Sequence, residues 1–356
     1  MNNGRLHRVM ANMMKHNLDQ MIVSSAASIF YLTGKWIESG ERMLALYINT
    51  NGQCKLIINE LFPLEQQAGL EKLVYNDRED AVQLMADIIE DKKLGIDKTW
   101  PSHFLIRLME KKSGLTFVNG SPILDEVRMI KDAEEIHLMR EASKVNDKVM
   151  AEVMELIKEG HEEKKICKLL ADLYEKHNTY SFSFYPLIAY GANAAEPHHA
   201  SDNTVIKAGD SVIIDIGGIT NYYCSDMTRT VFYKNASEEA SKVYNLVLEA
   251  NRKGIEAVKP GVRLCDIDKA ARNVIEKAGY GEYFIHRTGH NIGVEVHEFP
   301  DVSSVNKMVA EPGMIFSVEP GIYLPGKFGV RIEDLVLVTE NGHEVLNNYT
   351  KKLQVI

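Results

Sequence analysis

Two aspartates, Asp215 and Asp226, stand eleven positions apart in the segment DIGGITNYYCSDMTRTV. Each lies at the edge of a β-like run: Val212-Ile213-Ile214 leads into the first, and Met227-Thr228-Arg229-Thr230-Val231 follows the second. Downstream, Glu319 comes straight after Phe316-Ser317-Val318, and Glu333 precedes Leu335-Val336-Leu337-Val338. His290 lies in the glycine-bounded stretch GHNIG. A carboxylate within an apolar strand loses much of its hydration and needs a compensating charge. Several acids in β contexts of one region therefore predict a shared cation, and the fold must bring them together.

Salt bridges and turn caps account for any one of these acids alone; the five residues together favour a metal centre. Two divalent ions about 3.5–4 Å apart require bridging, charge-compensating carboxylates. A neutral imidazole adds a nitrogen donor to one of them. Such a site activates water near neutral pH, and the expected chemistry is metal-assisted hydrolysis of an amide or ester.

With 356 residues the chain is long enough for two domains. Its net charge of -9 argues against non-specific nucleic-acid binding, which relies on a basic surface. Cys54, Cys167, Cys224 and Cys265 are widely spaced with no CxxC pair, as expected of reduced thiols in a cytoplasmic protein. The first residues, MNNGRLHRVMANMMKHN, lack the apolar core of a secretory signal. No apolar run approaches the length of a membrane helix, so no membrane association is expected.

Residues 1–126 read as an α/β domain. Apolar residues at helical spacing predict a first helix over 4–17. Residues 21–23 and 29–32 read as short buried strands, and Asn51-Gly52 between apolar runs signals a hairpin. Helical patterns over 80–90 and 102–112 flank a strand at 94–96. Residues 127–356 form a second domain with both helices and strands. Asp132 is positioned to cap a helix running to Gly160, with further helices over 162–177, 237–258 and 264–278. Pro197-His198-His199 lies in a loop seventeen positions before Asp215 is reached from His198, a placement that marks one of these histidines as functional.

The motifs DIGG, CSDMTRTV, GHNIGVEVHE, SVEPGIY and GVRIED occur in this order, preceded by RMIKDAEEI. Over nearly its whole length the chain resembles the metal-dependent proline peptidases of the pita-bread fold. These are the Xaa-Pro dipeptidases (prolidases) and Xaa-Pro aminopeptidases, with methionine aminopeptidases as more distant relatives. The resemblance implies a mixed α/β (α+β) chain, with a creatinase- or prolidase-like N-terminal domain followed by a catalytic pita-bread domain. It implies hydrolysis of the X-Pro bond, most simply in Xaa-Pro dipeptides, with action on longer peptides as the alternative. It also implies two divalent ions, Mn²⁺ or Co²⁺ with Zn²⁺ as an alternative, and a homodimer.

Residue by residue, Asp215 resembles the ligand of one ion, Asp226 and Glu333 the bridging carboxylates, and His290 and Glu319 the partners of the other. Glu319 also resembles the proton shuttle, His297 the group that stabilises the tetrahedral oxygen, and His198 the substrate-pocket histidine. Arg331 resembles a cation beside the ligands or substrate. One position departs from the pattern. Some prolidases place an arginine four residues after the second histidine to meet the dipeptide's carboxylate. Here that residue is Asp301, which would repel it, so Arg331 or another subunit is expected to compensate. Creatinase-like metal-free hydrolysis and a non-catalytic binding role are the other readings; both are disfavoured because all five ligand positions are filled.

Overall fold

Alternating apolar side chains organise the N-terminal part of the chain around one sheet. The computed structural model describes every residue except Gln66, Ala68 and Tyr180, and divides the chain into Met1–Arg128 and Met129–Ile356. In the first unit, six strands run in the order Glu71–Tyr75, Cys54–Asn59, Ala45–Asn49, Gln20–Val23, Lys93–Ile96 and Thr116–Asn119. Ala45–Asn49 is antiparallel to both neighbours, and the other pairings are parallel. Successive strand residues point to opposite faces. Leu46, Ile48, Met21, Val23, Leu56 and Ile58 thus share one core with Leu6, Val9 and Met13 of helix Asn3–Lys15. Ala45, Tyr47, Ile22 and Ile57 share the other with helices Ala81–Ile88 and Ser102–Lys111. The Asn51-Gly52 turn joins Ala45–Asn49 to Cys54–Asn59, with Gly52 at φ 87°.

The expected strand at residues 29–32 is instead part of helix Ala26–Thr33. Ser25 caps its start by accepting from the Ser28 N–H, and Gly34 ends it in the left-handed region at φ 71°. A short helix buried on most sides shows no polar face, so its apolar run carries no readable period. The caps were the better signal.

The second unit twice sets a pair of helices ahead of antiparallel strands. Helices Ala133–Met154 and Glu163–Lys176 precede a three-stranded sheet in the order Met227–Phe232, Ser211–Ile216, Leu187–Tyr190. Helices Glu238–Ala257 and Leu264–Lys277 precede a five-stranded sheet in the order Glu298–Val302, Gly289–Asn291, Ile315–Val318, Asp334–Thr339, Gly342–Val345. Asp132 and Glu135 form a reciprocal capping box at the head of the first long helix. That helix stops at Met154, short of Gly160, because Leu156 and Ile157 continue in tight turns bonded to Val153 and Met154. Among the described residues, no helix is long and apolar enough to cross a membrane.

The strands that carry the aspartates are tied to those that carry the later acids. Thr230 Oγ1 donates to the Arg331 carbonyl at 2.8 Å, and the Glu333 N–H donates to the Thr228 carbonyl at 3.1 Å. Arg229 lies beneath this seam, 1% exposed. Its guanidinium donates to the Glu333 carbonyl at 2.6 Å and to Asp334 Oδ1 at 2.8 Å, while Lys351 reaches Asp334 Oδ2 at 2.6 Å. Burial opposes ionisation of Asp334, but Arg229 and Lys351 outweigh it and hold the carboxyl below its usual range. Removing one member of a buried charge network leaves the others uncompensated, at a cost of about 3–5 kcal/mol. Asp334→Asn is therefore expected to lower the urea midpoint strongly at pH 7. Because the folded Asp334 is depressed, its contribution is present above the unfolded carboxyl range and is lost as pH falls through the folded value. The variant and parent midpoints should converge in acid.

Candidate metal centre

Each half of the second unit delivers acids to the same cleft. Asp215 sits near the end of Ser211–Ile216, in register with Thr228 across the strand pair. The chain then turns through the small hairpin Ile219–Thr220/Tyr223–Cys224, whose tip, Asn221-Tyr222, has positive φ at both residues. It returns at Asp226, which immediately precedes Met227–Phe232. Gly217 makes this return close: a Cβ there would collide with the Ser225 carbonyl and meet the Phe184 ring at 2.9 Å. The eleven-residue spacing is thus a strand end, a hairpin and a strand start. His290 lies in Gly289–Asn291, Glu319 just beyond Ile315–Val318, and Glu333 between Phe328–Arg331 and Asp334–Thr339.

All five residues line a single cleft of about 650 Å³, together with His198, His297 and Arg331. The structure brings these eight residues together in one cleft, while Asp301 is not among the described residues that line it. Asp226, His290 and Glu333 offer ligand atoms within 4.8 Å of one another. His290 Nε2 lies 3.6 Å from Asp226 Oδ2 and 3.5 Å from Glu319 Oε1. Ser317 Oγ accepts from the His290 N–H at 3.0 Å and donates to Glu319 Oε1 at 3.1 Å, fixing one residue against the other. Thr228 Oγ1 donates to Glu333 Oε2 at 2.7 Å and accepts from Arg331 Nε at 3.1 Å. Arg331 Nη2 reaches Asp215 Oδ2 at 2.5 Å.

The electrostatics are those of a site with too much negative charge for its own cations. Burial, then the charges of Glu333 and Asp215, pushes the Asp226 carboxyl well above its usual range. Burial and the charges of Glu319 and Asp215 do the same to Glu333. Burial raises Glu319 to about 7. Burial and neighbouring His297 lower His290 to about 3, so its ring is neutral with a lone pair to offer. Asp215 Oδ1 and Asp226 Oδ1 are buried with no hydrogen-bond partner among the described residues. Crowded, orphaned carboxylate oxygens beside a neutral imidazole are the donor set of hard divalent ions.

Three wider comparisons bear on this cleft. The family model for metallopeptidase family M24 matches residues 137–340, and that for the creatinase/prolidase N-terminal domain matches residues 5–130. The chain belongs to metallopeptidase family M24. As a member of family M24 it is a hydrolase, and the cleft's donors fit the divalent ions such enzymes use. An uncharacterized peptidase of Staphylococcus haemolyticus is 37% identical over 98% of this chain and 99% of its own length. The prolidase of Thermococcus sibiricus superposes with a TM-score of 0.94 at 34% identity, covering 100% of this chain and 99% of that one. The Xaa-Pro dipeptidase of Bacillus anthracis does so with 0.91 at 30% identity, covering 99% of each.

Within this M24 chain, further residues support the cleft. A second trio, Glu163, His199 and Asp202, also has ligand atoms within 4.8 Å of one another. Glu163 Oε1 accepts from the Tyr190 N–H and Asn193 Nδ2, and Oε2 from the Asp202 N–H and His199 Nε2, at 2.7 to 3.0 Å. A carboxylate with four donors is already compensated, so this trio reads as a brace for the loop that carries His198. Tyr323 links the opposite wall: its hydroxyl accepts from Arg331 Nη1 at 3.0 Å and meets His286 Nε2 at 2.8 Å. Arg287 also lines the cleft. Arg229 had a signal in the sequence, a charge inside the apolar run MTRTV, and Tyr323 closes the SVEPGIY motif; Arg287 had none.

Proposed function

We propose that this chain is a dinuclear-metal-dependent peptidase that hydrolyses the X-Pro bond of Xaa-Pro dipeptides. The observation that carries the proposal is the convergence of Asp215, Asp226, His290, Glu319 and Glu333 on one cleft, with two orphaned carboxylate oxygens. In this reading Asp226 and Glu333 would be shared by the two ions, Asp215 would help to hold one, and His290 and Glu319 would help to hold the other. The carboxylate-rich donor set favours Mn²⁺ or Co²⁺. When bound, the ions supply Lewis acidity and a water that deprotonates near neutral pH.

The remaining chemistry belongs to the chain's own side chains. Glu319, whose Oε1 lies 3.5 Å from His290 Nε2 in the cleft, is placed to take a proton and return it to the leaving proline nitrogen. His297, its ring packed edge-on against His290 with centroids 4.3 Å apart, and His198 at the cleft mouth donate N–H groups to the carbonyl oxygen as charge develops there. Arg331 holds Asp215 and, through Thr228, Glu333. Phe184, Tyr185, Leu187 and Val296, which also line the cleft, offer apolar surface that would cover a pyrrolidine ring and exclude water. The names of the similar prolidase and Xaa-Pro dipeptidase support the same substrate class. Four free cysteines, three of them buried, support a cytoplasmic setting, and the resemblance supports a homodimer.

The test is hydrolysis of X-Pro dipeptides and X-Pro-Y tripeptides by Mn²⁺- or Co²⁺-loaded protein. Metal-stimulated cleavage favouring the dipeptide is expected. Preference for the tripeptide would transfer the chain to the aminopeptidase reading, and cleavage of neither would sink the proposal.

A further inference from the structure

We infer that Arg287 is the residue that recognises the substrate's terminal carboxylate and so selects dipeptides over longer peptides. This rests on the proposed X-Pro activity: a dipeptide cut at X-Pro carries a free carboxylate on the proline, so the cleft needs a cation that is not already committed.

Arg287 and Arg331 are the two full cations among the described residues that line the cleft. Arg331 is 4% exposed, and each of its guanidinium nitrogens already has an acceptor: Thr228 Oγ1 for Nε, Tyr323 Oη and the Pro197 carbonyl for Nη1, and Asp215 for Nη2. Redirecting it would strip Asp215 of its counterion. Arg287 is exposed, and its guanidinium has no hydrogen bond or ion pair among the described residues. Asp301, the acid expected to repel a carboxylate, is not among the described residues lining the cleft; its Oδ1 accepts from Asn306 Nδ2 at 3.2 Å.

The backbone around Arg287 is held on both sides. Arg272 Nη1 donates to the Phe284 carbonyl and Nη2 to the His286 carbonyl, each at 2.9 Å. Asp268 fixes Arg272 and also accepts from Thr288 Oγ1 at 2.7 Å, while the Thr288 N–H donates to the Val302 carbonyl. His286 is anchored at Nε2 by Tyr323. A side chain presented from a pinned backbone and left without a protein partner is preorganised for a ligand. A guanidinium presents a fork of donors that matches a carboxylate, which a lysine does not reproduce.

The experiment is steady-state kinetics of metal-loaded wild type, Arg287→Ala and Arg287→Lys on Ala-Pro and on its C-terminal amide. Because the Arg287 side chain is exposed and unpaired, its removal leaves folding little changed. Arg287→Ala should raise KM for the free acid by roughly tenfold to a hundredfold with a much smaller change in kcat. The wild-type preference for acid over amide should collapse towards unity, and Arg287→Lys should restore part of it. Wild-type hydrolysis with an unchanged acid KM in Arg287→Ala, or equal losses on acid and amide, overturns the Arg287 inference alone. Hydrolysis of neither substrate by the wild type overturns the X-Pro reading and this inference with it.

Discussion

Glu333→Gln is expected to abolish X-Pro hydrolysis while making the metal-free protein more stable above pH 7. The first half follows from the place of Glu333 in the donor cluster. Metal ions supply several kcal/mol of transition-state stabilisation, and losing about 4 kcal/mol slows a reaction roughly a thousandfold. The second half follows from crowding. Burial and the charges of Glu319 and Asp215 push the folded Glu333 carboxyl well above its usual range. In the unfolded chain the same group ionises freely near neutral pH, so ionisation pulls the equilibrium towards unfolding. A glutamine keeps an oxygen that accepts from Thr228 Oγ1, now 2.7 Å from Glu333 Oε2, and carries no charge. Thermal unfolding in excess chelator should show Glu333→Gln melting roughly a few degrees above wild type at pH 8. The difference should shrink as pH falls and vanish below the unfolded carboxyl value of 4.5, where that carboxyl is also protonated. A lower melting temperature at pH 8 would show that Glu333 stabilises the apoprotein, contrary to the crowding argument.

The wild-type protein should show the same conflict as a pH-dependent demand for metal. Asp226, Glu319 and Glu333 all have raised folded values, Glu319 at about 7. Their contribution to stability is therefore full below the unfolded carboxyl range and is lost as pH rises through the folded values. His290 and His286, both lowered to about 3 chiefly by burial, act in the opposite sense. Their contribution is present above the unfolded imidazole value of 6.5 and is lost as pH falls. Between the unfolded carboxyl range and 6.5 the two effects oppose each other. Above 6.5 only the carboxylate effect remains, and the chelated protein should lose stability steadily towards pH 9. Divalent ions bind deprotonated carboxylates and neutral imidazole, so added Mn²⁺ should stabilise most where the apoprotein is weakest. Melting curves from pH 6.5 to 9, with Mn²⁺ and with chelator, should diverge as pH rises. Parallel curves would argue against a carboxylate-rich metal site.

Much of this centre was legible because its residues violate local expectation. Asp215 and Glu319 each end an apolar run, and Glu333 precedes one; the desolvation cost of such placements is readable without coordinates. The same logic applied to Arg229 would have predicted its buried partner Asp334. The apolar run at residues 29–32 suggests a strand because an apolar helix with no solvent face has no period to detect, and only Ser25 and Gly34 mark its ends. Arg287 was beyond the reach of such reasoning. A lone arginine in a loop carries no local signature, and its importance arises from residues distant in sequence: Asp268 and Arg272 holding its backbone, and Asp215 occupying Arg331. Likewise Asp301 stands where a motif would place it, yet its orientation towards Asn306 depends on the turn that follows its strand.

Equilibrium dialysis of chelator-treated protein against Mn²⁺, with Ala-Pro hydrolysis followed in the same samples, tests the dinuclear centre most directly. The account predicts about two ions per chain at saturation and activity that is absent without metal and rises as they bind. Full hydrolysis after exhaustive chelation, or saturation without more than a single ion per chain, would contradict it.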